Sequence, residues 1–227
     1  MAAPIGHIFL SLVMLSSSLA DKSEKEFILG TSFPDIRYIT KLDREKTHLE
    51  NITLDQIKNA KTSFRSGFLF HSFVDEAREK YLQKHNAYDL APQSKYASFC
   101  MKFCEDQMLH EKIKNLAGIT QYFNTITPEE YDFGIDEKNI KQWHSFIKQY
   151  CGHQNAVKHV LTLYFSYQKY MPHLISKAIA STMVKLKLFP ARIREMIDVM
   201  DEIQKNEKLK TILMNFYENF ETIIKDL

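Results

Sequence analysis

The chain has 227 residues, a mass of 26.7 kDa and a formal net charge of +2, enough for one substantial core and too near balance for the basic stripe that duplex DNA requires. Apolar residues make up 44% and charged residues 26%, which excludes a disordered tail or a coiled-coil rod. With only 6 Gly and 6 Pro, and polar residues dominated by Lys, Glu, Gln and Asn, the composition predicts an all-α fold, organised as a single multi-helix domain.

Pro4 lacks an amide hydrogen and suits a first helical turn. Ile8, Leu12, Leu15 and Leu19 follow at helical spacing, with His7 one turn in. The run from Ile5 to Leu15 and the small residues Ser16 to Ala20 resemble a secretion signal. No Lys or Arg precedes them, however, and Pro4 and His7 interrupt the run, so a buried first helix is expected rather than a cleaved leader. It is shorter than the about 20 apolar residues a bilayer span needs, and no later stretch does better. Phe27 to Asp35 reads as a short helix or extended piece ending at Pro34, because the residue before a proline is pushed out of the α region. Asp35 then falls on a bend.

Residues 41–51 are charged and predict a surface loop, where a lone histidine such as His48 would ordinarily face water. Helical periodicity resumes near Leu54, pauses at Ser66-Gly67 and runs through His71 to about His85. Pro92 is expected to open the next helix, with Cys100 and Cys104 at helical spacing. Three cysteines in a chain of this length predict no disulfide framework and suit a reducing compartment. Thr127-Pro128-Glu129-Glu130 is a helix-start pattern. Further helices are expected over 137–150, 155–186 with a break at Pro172, 190–205 and 207–226, the last strongly amphipathic and packed on the domain. The histidines carried there, His144, His153, His159 and His173, share no common spacing with carboxylates and read as core or surface residues.

The chemistry gathers in the first half, residues 1–118; residues 119–227 form a helical half without a readable site. His71 and Asp75 stand four apart on one face of an apolar helix, so both can reach one point. A metal ion is such a point, since imidazole nitrogen and carboxylate oxygen both ligate zinc at about 2 Å. The ordinary alternative is that Asp75 fixes one tautomer of a core histidine. Asp35 and His48 supply further ligand-type groups, and a nitrogen-and-oxygen set without thiolate suits a catalytic zinc better than a structural one. Asp106 and His110 repeat the four-residue step beside Glu105, though an amphipathic helix produces such pairs by chance.

In order, His7, the segment Gly30 to Asp35 (Gly-x-x-x-Pro-Asp), His48, and the helix Gly67 to Asp75 (Gly-x-x-x-His-x-x-x-Asp) resemble the zinc-dependent phospholipase C family, which shares an all-helical fold with single-strand-specific zinc nucleases. The resemblance covers about the first 110 residues. It implies that Asp35, His48, His71 and Asp75 surround one zinc ion, that Asp75 bridges toward a second near His7, and that Asp35 also serves in activating water. It further implies hydrolysis of a phosphodiester such as a phospholipid, with peripheral membrane contact. Departures are Tyr81 where the family has a histidine, Met101 before Glu105 where a His-x-x-x-carboxylate pair is usual, and Trp143 as the sole tryptophan where secreted members carry one at the N-terminus. His85, Glu105, Asp106 and His110 are the candidates to substitute. Those departures also admit a helical binding or effector protein that kept the fold and lost the chemistry, or one ion retained for structure. A nuclease would need aromatic stacking platforms, but most of the 16 Phe and 11 Tyr fall at core spacing. Residue usage rich in Lys, Asn, Phe and Ile suits an AT-rich bacterial genome, with a cytosolic protein or one delivered into a host cell as the expected setting.

Overall fold

The computed structural model describes residues 2–40, 42–152 and 191–226, and among these every regular element is helical, with no strand. Helix α1, Pro4–Leu15, starts at the proline but has no side-chain cap of its own. Its cap comes from elsewhere: the Asp106 carboxylate accepts the Ile5 amide at 3.0 Å and the Gly6 amide at 2.7 Å. A carboxylate at that helix end satisfies orphan amides and complements the positive end of the dipole.

Helix α2, Glu24–Ser32, passes directly into a 3-10 turn over Phe33–Tyr38, so Pro34 tightens the chain where an end of the helix was expected. Helix α3, Ser63–Lys84, has its amide end capped by the Thr62 hydroxyl. The break in periodicity falls at residues 59–62, after a short helix Leu54–Lys58, and not at Ser66-Gly67. Gly67 stays helical because α2 and α3 touch backbone to backbone there. A Cβ on Gly67 would lie 2.0 Å from the Phe27 carbonyl oxygen, and one on Gly30 would lie 2.0 Å from that of Phe64.

Helix α4, Ala97–His110, begins five residues later than Pro92; Pro92 sits in a turn whose carbonyl accepts the Ser94 amide. Thr127 and Glu130 form the expected capping box. Helix α5 spans Glu137–Cys151, α6 Ala191–Lys205 and α7 Glu207–Glu218, where Asn219 breaks the expected closing helix before a last turn, Phe220–Ile223. The helix expected over 155–186, with His153, His159 and His173, lies outside the described residues. A continuous core runs from Ala2 to Phe220. Trp143 is buried in it and donates to the Ser32 carbonyl at 3.1 Å. Among the described residues no helix is long and apolar enough to cross a membrane.

Candidate metal centre

Five of the residues singled out by sequence meet in one buried place. His7 comes from α1, Asp35 from the 3-10 turn, His48 from the end of a short helix Arg44–Thr47, and His71 and Asp75 from α3. All are buried, His48 included, which corrects the solvent-facing position expected of a lone loop histidine. The reason is local: His48 follows a single helical turn that folds back onto α3, with the Leu49 amide donating to Ser72 Oγ at 3.0 Å.

Hydrogen bonding fixes the tautomer of His71. His71 Nδ1 lies 2.8 Å from the Thr31 carbonyl, which can only accept, so Nδ1 carries the hydrogen and Nε2 a lone pair. His48 Nδ1 lies 2.9 Å from Thr47 Oγ1, a hydroxyl that can donate to it or accept from it, so either nitrogen of this ring can carry the hydrogen. Its Nε2 lies 3.2 Å from the bare His71 Nε2, within hydrogen-bond distance.

Burial lowers the pKa of His71 to about 4, reinforced by His7, and lowers that of His48 as well, so both rings are neutral near neutral pH. Burial works to raise the Asp35 pKa, but His48 and His71 outweigh it and the net shift is downward. Asp75 is lowered further: the positive chain end and His71 more than offset its desolvation. The centre therefore holds two carboxylates and two neutral imidazoles, with the lone pair of His71 Nε2 facing inward. Asp35 Oδ1 accepts no aligned hydrogen bond among the described residues.

Separations complete the picture. His48 Nε2 lies 3.5 Å from Asp35 Oδ1 and 3.7 Å from Asp75 Oδ2, and His71 Nε2 lies 3.9 Å and 3.6 Å from the same two atoms. A tetrahedral zinc with bonds of about 2.0–2.1 Å spaces its ligand atoms about 3.3–3.4 Å apart. The separations involving a ring nitrogen lie near that edge or a few tenths of an ångström beyond it, and among the described residues Asp35, His48 and His71 bring one ligand atom each close enough to hold one ion. The nitrogen-and-oxygen donor set fits a metal ion.

His7 extends the site on one side. Its ring stacks on His71 with centroids 4.0 Å apart, and its Nε2 stands 3.3 Å from Asp75 Oδ1, while neither of its nitrogens makes an aligned hydrogen bond among the described residues. Among the described residues, the two groups able to hold an ion are thus His7, His71 and Asp75, and Asp35, His48 and His71. Asp75 Oδ1 also accepts the Ala2 amide at 2.7 Å, a contact with no sequence signal.

The α4 candidates lie outside these groups. Glu105 is clamped by Arg78, whose Nε donates to it at 2.9 Å, and by Tyr217 at 2.6 Å; the buried guanidinium takes the place a cation would need. Asp106 caps α1, and His110 Nε2 contacts the Cys151 carbonyl at 2.9 Å. His85 is exposed, its ring tilted against that of Tyr81. His144 pairs with buried Glu130 at 2.6 Å, a core contact. Sequence reading missed the second layer, Thr31 and Thr47, since a backbone carbonyl and a neighbouring hydroxyl leave no pattern.

No protein-family model matches the chain, and no curated protein or solved structure is significantly similar to it.

Proposed function

We propose that the protein is a metal-dependent phosphoester hydrolase of the zinc-dependent phospholipase C type. The observation that carries the reading is the pair of imidazole Nε2 atoms 3.2 Å apart beside two ionised carboxylates, an arrangement suited to a divalent cation. A zinc ion bound among such ligands lowers the pKa of a coordinated water to about 7 and neutralises charge on a phosphoryl oxygen. The chain's own residues supply the rest. The Thr31 carbonyl holds His71 in the ligating tautomer and the Thr47 hydroxyl orients the His48 ring, as outer-shell partners do in metal sites. Asp35 keeps 10% of its side-chain surface and Asp75 8%, so the carboxylate edge is the side nearest water, where Asp35 accepts a proton from the attacking nucleophile. Substrates in this reading are phosphodiesters, phospholipids among them.

A second reading has its own observation. Glu105 is sealed by Arg78 and Tyr217, so the chain supplies fewer ion ligands than the family pattern asks for. In that reading the fold keeps one ion for structure and serves as a binding protein. One experiment separates them: zinc per chain by elemental analysis, with turnover of a phosphodiester panel before and after chelation, on wild type and His71→Ala. Stoichiometric zinc with chelator-sensitive turnover that His71→Ala abolishes supports the hydrolase. Zinc without turnover leaves the structural ion, and no zinc overturns both.

A further inference from the structure

Proximity admits two ligand groups among the described residues, and both need His71: Asp35 and His48 join it on one side, His7 and Asp75 on the other. The His71 ring has one lone pair to give. Its Nδ1 hydrogen goes to the Thr31 carbonyl at 2.8 Å, so only Nε2 can ligate, and that nitrogen serves one ion at a time. The two groups are therefore alternatives, and ring orientation chooses between them.

An imidazole lone pair lies in the plane of its ring. The His7 and His71 rings are stacked, 13° from parallel with centroids 4.0 Å apart. Lone pairs in two stacked planes run side by side and do not meet, because an ion about 2 Å along one of them stays off the other plane by nearly the stacking distance. His48 stands at 89° to His71, with the two Nε2 atoms 3.2 Å apart. Rings at a right angle can aim at one point, and the Thr47 hydroxyl, 2.9 Å from His48 Nδ1, can take its hydrogen and leave Nε2 to the ion. Asp35 Oδ1 completes the set at 3.5 Å from His48 Nε2 and 3.9 Å from His71 Nε2, and it accepts no aligned hydrogen bond of its own among the described residues. A second ion would be left with His7 and Asp75, whose Oδ1 already accepts the Ala2 amide at 2.7 Å, whereas a catalytic zinc takes three protein ligands.

We propose, resting on the metal-binding half of the hydrolase reading, that the centre takes one ion held by Asp35, His48 and His71, and that His7 is a positioning residue whose ring holds the plane of His71. One ion is then the full complement, where the family resemblance implies two. Neither His7 nitrogen makes an aligned hydrogen bond among the described residues, its approach to Asp75 Oδ1 at 3.3 Å included, so the stack on His71 is the contact that remains. Helix α1 carries this platform, and the Asp106 carboxylate on the Ile5 and Gly6 amides anchors the turn that bears it.

The test is zinc affinity by competition with a chromogenic chelator, with zinc per chain by elemental analysis, on wild type, His7→Phe, His7→Ala and His48→Ala. Wild type should hold one zinc per chain. His7→Phe keeps a flat ring on His71 and has no nitrogen to give, so it should hold one zinc within about twofold of the wild-type affinity. His7→Ala should lose about tenfold, as the loss of an outer-shell partner does, and His48→Ala more than about a hundredfold. With cobalt in place of zinc, the visible spectrum of His7→Phe should match that of wild type, since the ligand atoms are the same. Two zinc ions per wild-type chain overturn the proposal. So does His7→Phe that loses as much affinity as His7→Ala or changes the cobalt spectrum, and so does His7→Ala at wild-type affinity. Should His7→Phe fail to fold, zinc per wild-type chain decides. The hydrolase reading fails separately, on one zinc per chain without phosphodiester turnover, a result that supports the one-ion centre; no zinc at all overturns both.

Discussion

Asp35 is the residue whose chemistry depends most on what stands beside it. In metal-free protein its carboxylate shares a buried space with that of Asp75, and desolvation and like charge both weigh against it. Yet His48 and His71 outweigh both and hold its pKa below the ordinary value, so Asp35→Asn should lower the metal-free melting temperature slightly, by the equivalent of about 1 kcal/mol, and should abolish the stabilisation that zinc confers. Thermal melts with chelator and with zinc check both halves. Acid titration reports on two other side chains with opposite signs. His71 falls from its ordinary 6.5 to about 4, so between those values the unfolded chain binds a proton that the folded one refuses, and stability falls as pH falls. Asp106 is pushed up by burial from 3.8 to about 7, so across that window the folded chain keeps a proton the unfolded one releases, and stability falls as pH rises. The two offset each other over most of their range. Asp106→Asn removes one, and the metal-free variant should lose about 3 kcal/mol more than wild type does between pH 6.5 and 4. Equal slopes in the two proteins would contradict this assignment.

The α2–α3 pair decides whether the ligands meet. Gly30 and Gly67 let the two backbones touch, and only at that distance does His71 Nδ1 reach the Thr31 carbonyl on α2 while Asp35 follows from the turn after it. Gly67→Ala gains about 1 kcal/mol of helix propensity but drives a methyl group against the Phe27 carbonyl, where backbone cannot swing aside. The net should be a loss of about 2 kcal/mol together with zinc affinity weakened at least tenfold, read by denaturant melts and zinc competition; a stable variant with wild-type zinc affinity would sink the argument. The same pair shows what local pattern can and cannot reveal. The apolar period of α3 and the step from His71 to Asp75 were legible, because both repeat within one helix. The glycine read as a pause because nothing in the surrounding residues tells of a second helix lying across it. The α4 helix is the reverse case: Pro92 suggested a start, yet the residues to Tyr96 turn first, and the acidic cluster at its end faces Arg78, Tyr217 and the amides of α1, partners distant in sequence.

At the scale of the molecule, the all-helical class followed from composition and period, and four of the central residues followed from residue type in an apolar setting. What composition and period do not carry is convergence, since Asp35, His48 and His71 become neighbours only through packing. A centre assembled from α1, the turn after α2, the Arg44–Thr47 turn and α3 exists in the folded chain alone, so its ligand binding and its folding are one equilibrium. An ion that binds only the folded state adds RT ln(1 + [L]/Kd), about 2.7 kcal/mol at a hundredfold excess over Kd. For a chain of this size that raises the melting temperature by about 5–10 °C. Magnesium, which prefers six oxygen ligands and holds its waters, should not reproduce the effect at a site with two imidazoles. The melt should be repeated with His71→Gln, which removes a ring bridging both ligand groups, His7 and Asp75 on one side and Asp35 and His48 on the other. A zinc shift that survives in that variant would mean the ion binds somewhere other than this centre; its disappearance, with magnesium inert throughout, ties the stabilisation to these five side chains.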